Sequence, residues 1–221
     1  DFYIDQLLDQ KLPIRGQLTE PSLARWVSKL APKSINIMLS ASSPIRDWVT
    51  FSGKDSLRRR CFSFRGASGI DGTLSLAMGI VNSIGTSILI TGDLAFLHDI
   101  NGILFSQRQC LPLLIIVIDN GGGGIFHQFS NLSSSLEDFN KLFLMPQTIN
   151  YIELASAYSI KYKQVSCMED LPASIEWGLS TQETKIIRIC TSASHDILLR
   201  DNIKYSLTRT ILQKKSQFSI L

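Results

Sequence analysis

The run LPLLIIVID, residues 111–119, is apolar at odd and even positions alike until its last residue. Side chains along a strand alternate between two faces, so a run that is apolar in both phases needs a cover on each face, as in a parallel sheet. Five further runs read as strands: INIMLS (35–40), CFSF (61–64), SILITG (87–92), KYKQVS (161–166) and KIIRIC (185–190). Between them apolar residues recur at helical spacing. Leu74, Ala77, Met78 and Val81 share one face, as do Phe96, Leu97, Ile100, Ile103 and Leu104, with shorter helices over 153–158 and 168–179. Thr19 followed by Glu20 and Pro21 starts a helix ending near Leu30. This alternation predicts an α/β fold, a doubly wound, mainly parallel six-stranded sheet with helices on both faces.

The chain divides accordingly. Residues 1–18, polar and broken by Pro13 and Gly16, read as a linker or the end of a preceding domain; 19–192 form the α/β domain. Residues 193–221 read as a C-terminal extension with a helix over 202–214, and 130–150 as a long connection of the kind that covers a site. The chain opens on Asp1 rather than Met, without a secretory signal, and we expect a processed, trimmed or incomplete polypeptide.

Composition narrows the class of function. A net charge of +3 is too mild for a nucleic-acid binder, and the one tight basic run, Arg58 to Arg60, reads as a solvated loop. No apolar segment approaches the ~20 residues of a membrane span. Cys61, Cys110, Cys167 and Cys190 are scattered without a C-x-x-C pair and are expected as reduced, mostly buried thiols in a reducing compartment. His98, His127 and His195 have no identifiable orienting carboxylate and are not assigned catalysis.

In a doubly wound sheet, ligands bind beyond the carboxyl ends of the strands. Asp93 and Asn120 end two successive strand runs with enough chain between them for a turn, one helix and one strand. Their hard oxygen ligands suit magnesium, which is commonly shared with phosphate groups. Gly121 to Gly124 allow a sharp turn that brings a main-chain carbonyl near the ion. A strand-capping Asp followed by a flexible turn is the plainer alternative. Two more loops follow strands, SASSPIRD (40–47) and RGASGIDG (65–72), the first offering free N–H groups at a Pro-initiated helix start. The glycine spacing of the second does not match a dinucleotide fold or a P-loop. Three such loops and a metal pair on one edge argue for a diphosphate cofactor.

GDLAFLHDINGIL followed by DNGGGGIF resembles the thiamine-diphosphate signature. With SSPIRD and RGASGIDGTLS, the set resembles the MenD family, 2-succinyl-5-enolpyruvyl-6-hydroxy-3-cyclohexene-1-carboxylate synthases of menaquinone and phylloquinone biosynthesis, over about residues 18–190. The resemblance implies the cofactors thiamine diphosphate and Mg, the metal held by Asp93, Asn120 and the Gly122 carbonyl. It implies that Ser42 touches the diphosphate, that Ile70 wedges beneath the bent cofactor, and that Ile125 lines its pocket with Phe126 and Phe129. Arg46 and Arg65 match positions that meet substrate carboxylates. The implied reaction decarboxylates 2-oxoglutarate and adds the four-carbon unit to isochorismate, in a plastid stroma (chloroplast) or a bacterial cytoplasm.

The activating glutamate of the superfamily belongs to a separate pyrimidine-binding domain, generally of a partner subunit. This chain therefore reads as the diphosphate half of a composite site in a homo-oligomer, with no catalytic residue of its own assigned. Family members usually read G-N-S at Ser40 to Ser42, N-R-G at Phe64 to Gly66, and a second Asn at Asp119. The alternatives are another thiamine-dependent decarboxylase, or a non-catalytic remnant that keeps the fold as an interaction module.

Overall fold

Residues Leu113–Asp119 form β4, the strand on which the rest of the sheet is built. The computed structural model describes residues 2–107, 111–127 and 136–218, so Cys110, Phe129 and the first part of the 130–150 connection lie outside the described residues. The other strands are β1 (Asn36–Leu39), β2 (Cys61–Ser63), β3 (Ser87–Gly92), β5 (Lys161–Val165) and β6 (Lys185–Cys190). They form one sheet in the order β2-β1-β3-β4-β6-β5, with every neighbouring pair parallel. The expected α/β architecture is present, and the sheet is parallel throughout.

The double phase of apolar residues has the consequence expected of it. Ile88, Ile90, Leu114, Ile116 and Ile118 face one layer, formed by α2 (Glu20–Leu30), α3 (Ser43–Phe51) and α8 (Leu171–Leu179). Met38, Leu89, Leu113, Ile115 and Val117 face the other, formed by α4 (Thr73–Ile84), α5 (Asp93–His98) and α7 (Tyr151–Ala157). Each fully buried branched side chain contributes roughly 1.5–3 kcal/mol relative to exposure. The edge strands β2 and β5 are only partly covered, which matches their weaker apolar patterns.

Helix boundaries follow local chemistry. Thr19 caps α2, its Oγ1 accepting from the Ser22 N–H at 3.2 Å, and Pro21 sits in the first turn, where a missing N–H costs nothing. Asn150 caps α7 through Ile152 and Glu153. The continuous helix suggested by the face from Phe96 to Leu104 is instead broken into α5 and a 3-10 segment, Ile100–Gln107. Asp99 leaves helical geometry, and its carboxylate accepts from the Ser75 N–H and Oγ at 2.7 and 3.1 Å, capping the start of α4. Periodicity carries no signal for that cap.

The terminal segments pack onto this body. Residues expected as a linker contain α1 (Phe2–Lys11), whose Leu8 joins Leu12, Ala24, Phe51 and Ile203 in a third apolar cluster. Ile203 lies on α9 (Ala193–Phe218), a longer helix than the 202–214 expected. A short helix α6 (Leu136–Phe139) and a π-helical turn, Asn140–Leu144, precede α7.

Two expectations are corrected. Arg59 is buried rather than solvated: its guanidinium donates to the Ser28, Ala31 and Pro32 carbonyls at the end of α2, where the orphan acceptors of the last turn need donors. Cys61 and Cys190 are exposed and Cys167 is half-buried, although all three are free thiols. Cys61 lies on the open edge strand and Cys190 at the carboxyl end of β6, both outside the packed layers. No helix among the described residues is long and apolar enough to cross a membrane.

Candidate cofactor site

From β1 the chain crosses outward to β2 and then returns to place β3 on the other side of β1. Where strand order reverses in this way, the loops at the carboxyl ends part and leave a crevice. A pocket of ≈ 360 Å³ lies there, lined from four loops by Ser42, Arg46, Ile70, Asp93, Asn120, Gly122, Ile125 and Phe126, among others. The structure thus brings together eight of the ten residues singled out in the sequence. Arg65 is exposed and does not line the pocket, where Ser68 from the same loop takes a place instead, and Phe129 lies outside the described residues. The arginine expectation is therefore divided: the loop after β2 turns Arg65 outward to solvent.

Asp93 and Asn120 follow adjacent parallel strands, paired to Gly92↔Ile118 at their carboxyl ends. Asp93 is 3% exposed; Oδ1 accepts from the Leu94 N–H and Oδ2 from the Gly122 N–H, both at 2.7 Å. Burial first, and then the charge of Asp119, push its carboxyl up to about 7, against the pull of the two N–H donors. Asn120 donates through Nδ2 to Glu20 Oε1 at 2.6 Å, while its Oδ1 is buried with no hydrogen-bond partner among the described residues. Such an orphaned acceptor costs on the order of 1–3 kcal/mol unless something satisfies it. A buried carboxyl group and an unpaired amide oxygen at the ends of adjacent strands are a donor set that a hard divalent cation would complete.

The glycine turn is built by close approach. Gly122 has φ +118°, and a Cβ there would stand 1.9 Å from the Leu144 carbonyl oxygen, while the Gly123 N–H donates to that same oxygen at 2.6 Å. The π-helical turn is thereby seated on the loop. The Gly122 carbonyl accepts from the Gly124 N–H at 2.9 Å and keeps a second lone pair for another partner.

On the opposite wall, Ser42 precedes α3 with φ +76° and ψ −140°, a conformation costly for a residue with a Cβ and one that marks functional loops. Arg46 Nη1 donates to the Ser42 carbonyl at 2.7 Å, holding this turn while lining the pocket. Pro44 sits in the first turn of α3, where a missing N–H costs nothing. Phe126, which lines the pocket, meets Phe143 edge-on at 5.5 Å. Asp119, in place of an amide side chain, is occupied by Arg188, whose Nε and Nη2 lie 2.9 and 2.6 Å from Oδ2.

Residue-type reasoning missed Glu20 and its partners. Glu20 lines the pocket, and Arg200 of α9 bridges it to Asp47 of α3. Only the Thr-Glu-Pro helix start marked the position.

A parallel sheet of this order, with a buried carboxylate and an orphaned amide oxygen in the crevice at its strand ends, defines a doubly wound α/β domain with a ligand crevice at its switch point. The chain belongs to the thiamine pyrophosphate enzymes: the family model of their C-terminal TPP binding domain matches residues 51–189. It is 50% identical over 207 residues to the 2-succinyl-5-enolpyruvyl-6-hydroxy-3-cyclohexene-1-carboxylate synthase of Prochlorococcus marinus (strain MIT 9313), covering 94% of this chain and 36% of that protein. It is 47% identical over 210 residues to the synthase of the same name from Synechococcus sp. (strain CC9311), covering 95% of this chain and 36% of that one. The chain thus spans about a third of the length of the curated relatives it matches. Among solved structures, benzoylformate decarboxylase from Polynucleobacter necessarius shares the fold, with a TM-score of 0.64 at 19% identity over 80% of this chain and 33% of that one.

Proposed function

We propose that this chain is the diphosphate- and magnesium-binding portion of a 2-succinyl-5-enolpyruvyl-6-hydroxy-3-cyclohexene-1-carboxylate synthase. The observation that carries the reading is the pairing of the buried Asp93 carboxylate with the orphaned Asn120 Oδ1 at the ends of adjacent strands. Asp93, Asn120 and the Gly122 carbonyl hold Mg. Ser42 and the N–H groups opening α3 meet the diphosphate oxygens, and Ile70 and Ile125 supply apolar walls for the rings of thiamine diphosphate.

When bound, the cofactor supplies the electron sink for decarboxylating 2-oxoglutarate and transferring the four-carbon unit to isochorismate. The chain's own residues bind and orient. Arg46 is a guanidinium at the pocket wall, suited to a substrate carboxylate, and Phe126 adds an apolar face to that wall. The solvent-facing Arg65 meets a carboxylate only if a neighbouring domain closes over its loop. Because the chain spans a third of its relatives, a pyrimidine-binding domain or subunit carrying the activating glutamate completes the site, in a homo-oligomer. The cyanobacterial relatives support a bacterial cytoplasm or a plastid stroma as its location.

Thermal unfolding with thiamine diphosphate, with and without magnesium, tests the cofactor reading. A ligand that binds only the native state raises the melting temperature, by about 2.7 kcal/mol of stabilisation at a hundredfold excess over Kd. The rise should require both components, and a flat response would favour a module that keeps the fold without the cofactor. The isolated chain given both substrates should turn over little; normal turnover would refute the composite-site reading.

A further inference from the structure

We infer that Glu20 is a positioning residue that fixes which end of the Asn120 amide faces the cation site, and that Arg200 of α9 holds Glu20 in that role. The inference rests on the reading of Asn120 as a metal ligand and extends it to residues outside 51–189, the stretch matched by the family model.

The two ends of an Asn amide are alike in shape and differ only in what they donate or accept. An ionised carboxylate accepts and cannot donate. Glu20 Oε1, 2.6 Å from Asn120 Nδ2, therefore selects the donor end of the amide and turns Oδ1 away, where it is buried and unpaired. Asp93 lines the same pocket, its two oxygens already accepting from the Leu94 and Gly122 N–H groups. An amide turned the other way would point its NH2 group, with no acceptor end, toward a cation. The bond to Glu20 holds it against that turn.

Glu20 is itself held on every side. It is 2% exposed, and its backbone N–H donates to Asp196 Oδ1 at 3.0 Å. Its Oε2 accepts from Arg200 Nη2, and the same guanidinium holds Asp47 through Nε at 2.8 Å and Nη2 at 2.5 Å. A buried charge cluster of this kind is weak evidence of stabilisation, since apolar packing does as well, but it fixes orientation. Here the orientation fixed is that of the one side chain in the crevice with a buried, unpaired acceptor atom among the described residues. Outer-shell partners that orient ligands in this way typically change metal affinity about 10–100-fold when removed.

The test is a charge-conserving exchange in the full chain, with Glu20→Gln, Asn120→Asp and the double variant. Glu20→Gln opposes an NH2 group to either Arg200 or Asn120, and the Asn120 amide turns to suit. Asn120→Asp opposes two carboxylates. The double variant restores a donor against an acceptor, with the amide now at position 20 facing the carboxylate now at position 120, and leaves an oxygen for the cation. Magnesium-supported binding of thiamine diphosphate, followed by calorimetry, should weaken about 10–100-fold in each single variant and recover most of that loss in the double. Recovery is a readout that a merely structural role would not move. Binding by Glu20→Gln equal to that of the parent, or a double variant no better than the weaker single, would overturn the inference.

The ¹H–¹⁵N signal of the Asn120 side chain in the ligand-free chain separates this inference from the cofactor reading. It should shift in Glu20→Gln and in Arg200→Met. If it shifts while the parent chain binds no cofactor, the positioning stands and the cofactor reading falls; if it does not shift, the positioning is wrong whatever binds.

Discussion

Asp93 Oδ2 accepts the Gly122 N–H at 2.7 Å, so the carboxylate ending β3 is tied to the turn that follows β4. The bond spans the crevice wall and seats the carboxyl group against the glycine loop. Both carboxylate oxygens are engaged by N–H donors, the other by Leu94. Asp93→Asn keeps the volume, cancels the charge and faces one of those donors with an NH2 group. The ligand-free chain should lose on the order of 1–2 kcal/mol in a urea titration. Magnesium-dependent stabilisation by thiamine diphosphate should vanish from its melting curve, and a shift equal to the parent's would rule out Asp93 as a ligand.

The glycine turn makes a sharper demand on sequence. With φ at +118° and a Leu144 carbonyl oxygen 1.9 Å from the place of a Cβ, Gly122 has neither the conformation nor the space for a side chain. Gly122→Ala should destabilise by roughly 2–3 kcal/mol through backbone strain and displacement of the π-helical turn. Gly121 also has positive φ, +83°, but open space around its Cβ position. Gly121→Ala should therefore cost only the strain, about 1 kcal/mol. Paired denaturant midpoints measure the difference; equal losses would mean that contact with Leu144 is not what fixes the loop.

How much of this was legible depends on the range of the interaction. Residues 87–92 and 185–190 coincide with β3 and β6 because an Ile- and Leu-rich run covered on both faces is a local signal. The positions of Asp93 and Asn120 were legible for the same reason, since each directly follows such a run. Glu20 was not, because its link to Asn120 joins residues a hundred positions apart and its link to Arg200 spans still more. Those contacts exist only once β4 and α9 are in place. The broken helix at Asp99 and the buried Arg59 have the same origin: each polar side chain leaves its own segment to satisfy the end of another helix. Arg65 shows the converse, a plausible motif residue whose direction depends on how a loop turns.

Acid titration should reveal the cluster beneath α2. Burial, with the charge of Glu20, pushes the Asp196 carboxyl up to about 7, against the Glu20 N–H and the Arg200 guanidinium. Burial likewise pushes Asp47 up to about 6, with Arg200 opposing. Both lie above the ordinary value of 3.8, so between about pH 4 and pH 7 the native state binds more protons than the unfolded chain, and stability falls as pH rises through that window. Each decade of pKa is worth about 1.4 kcal/mol at most, before the local structure relaxes. Asp93, pushed up to about 7, adds to the same slope, so the chain should melt higher at pH 5 than at pH 7.5, and Asp196→Asn should remove only its own part of that slope. A stability that climbs over the same range would contradict the assignment.

The N-terminal helix is anchored by an asymmetric ion pair. The Arg25 side chain is wholly buried, with Nη1 2.7 Å from Asp5 Oδ1 and Nε 2.9 Å from Asp9 Oδ1, whereas Asp9 is well exposed and Asp5 has Lys54 at 3.5 Å as a second partner. Removing the Asp5 carboxylate leaves a buried guanidinium with only the more exposed Asp9 as its charge partner, while removing the guanidinium leaves two carboxylates with other cations or water at hand. Asp5→Ala should thus cost about 2–3 kcal/mol and Arg25→Met distinctly less, since an apolar side chain of similar length packs in the same space. Urea unfolding of the two variants reads the order directly. If Arg25→Met proves the more damaging, the guanidinium contributes more than charge pairing, through its bonds to the Asp5 and Ser52 carbonyls, and α1 is held by those instead.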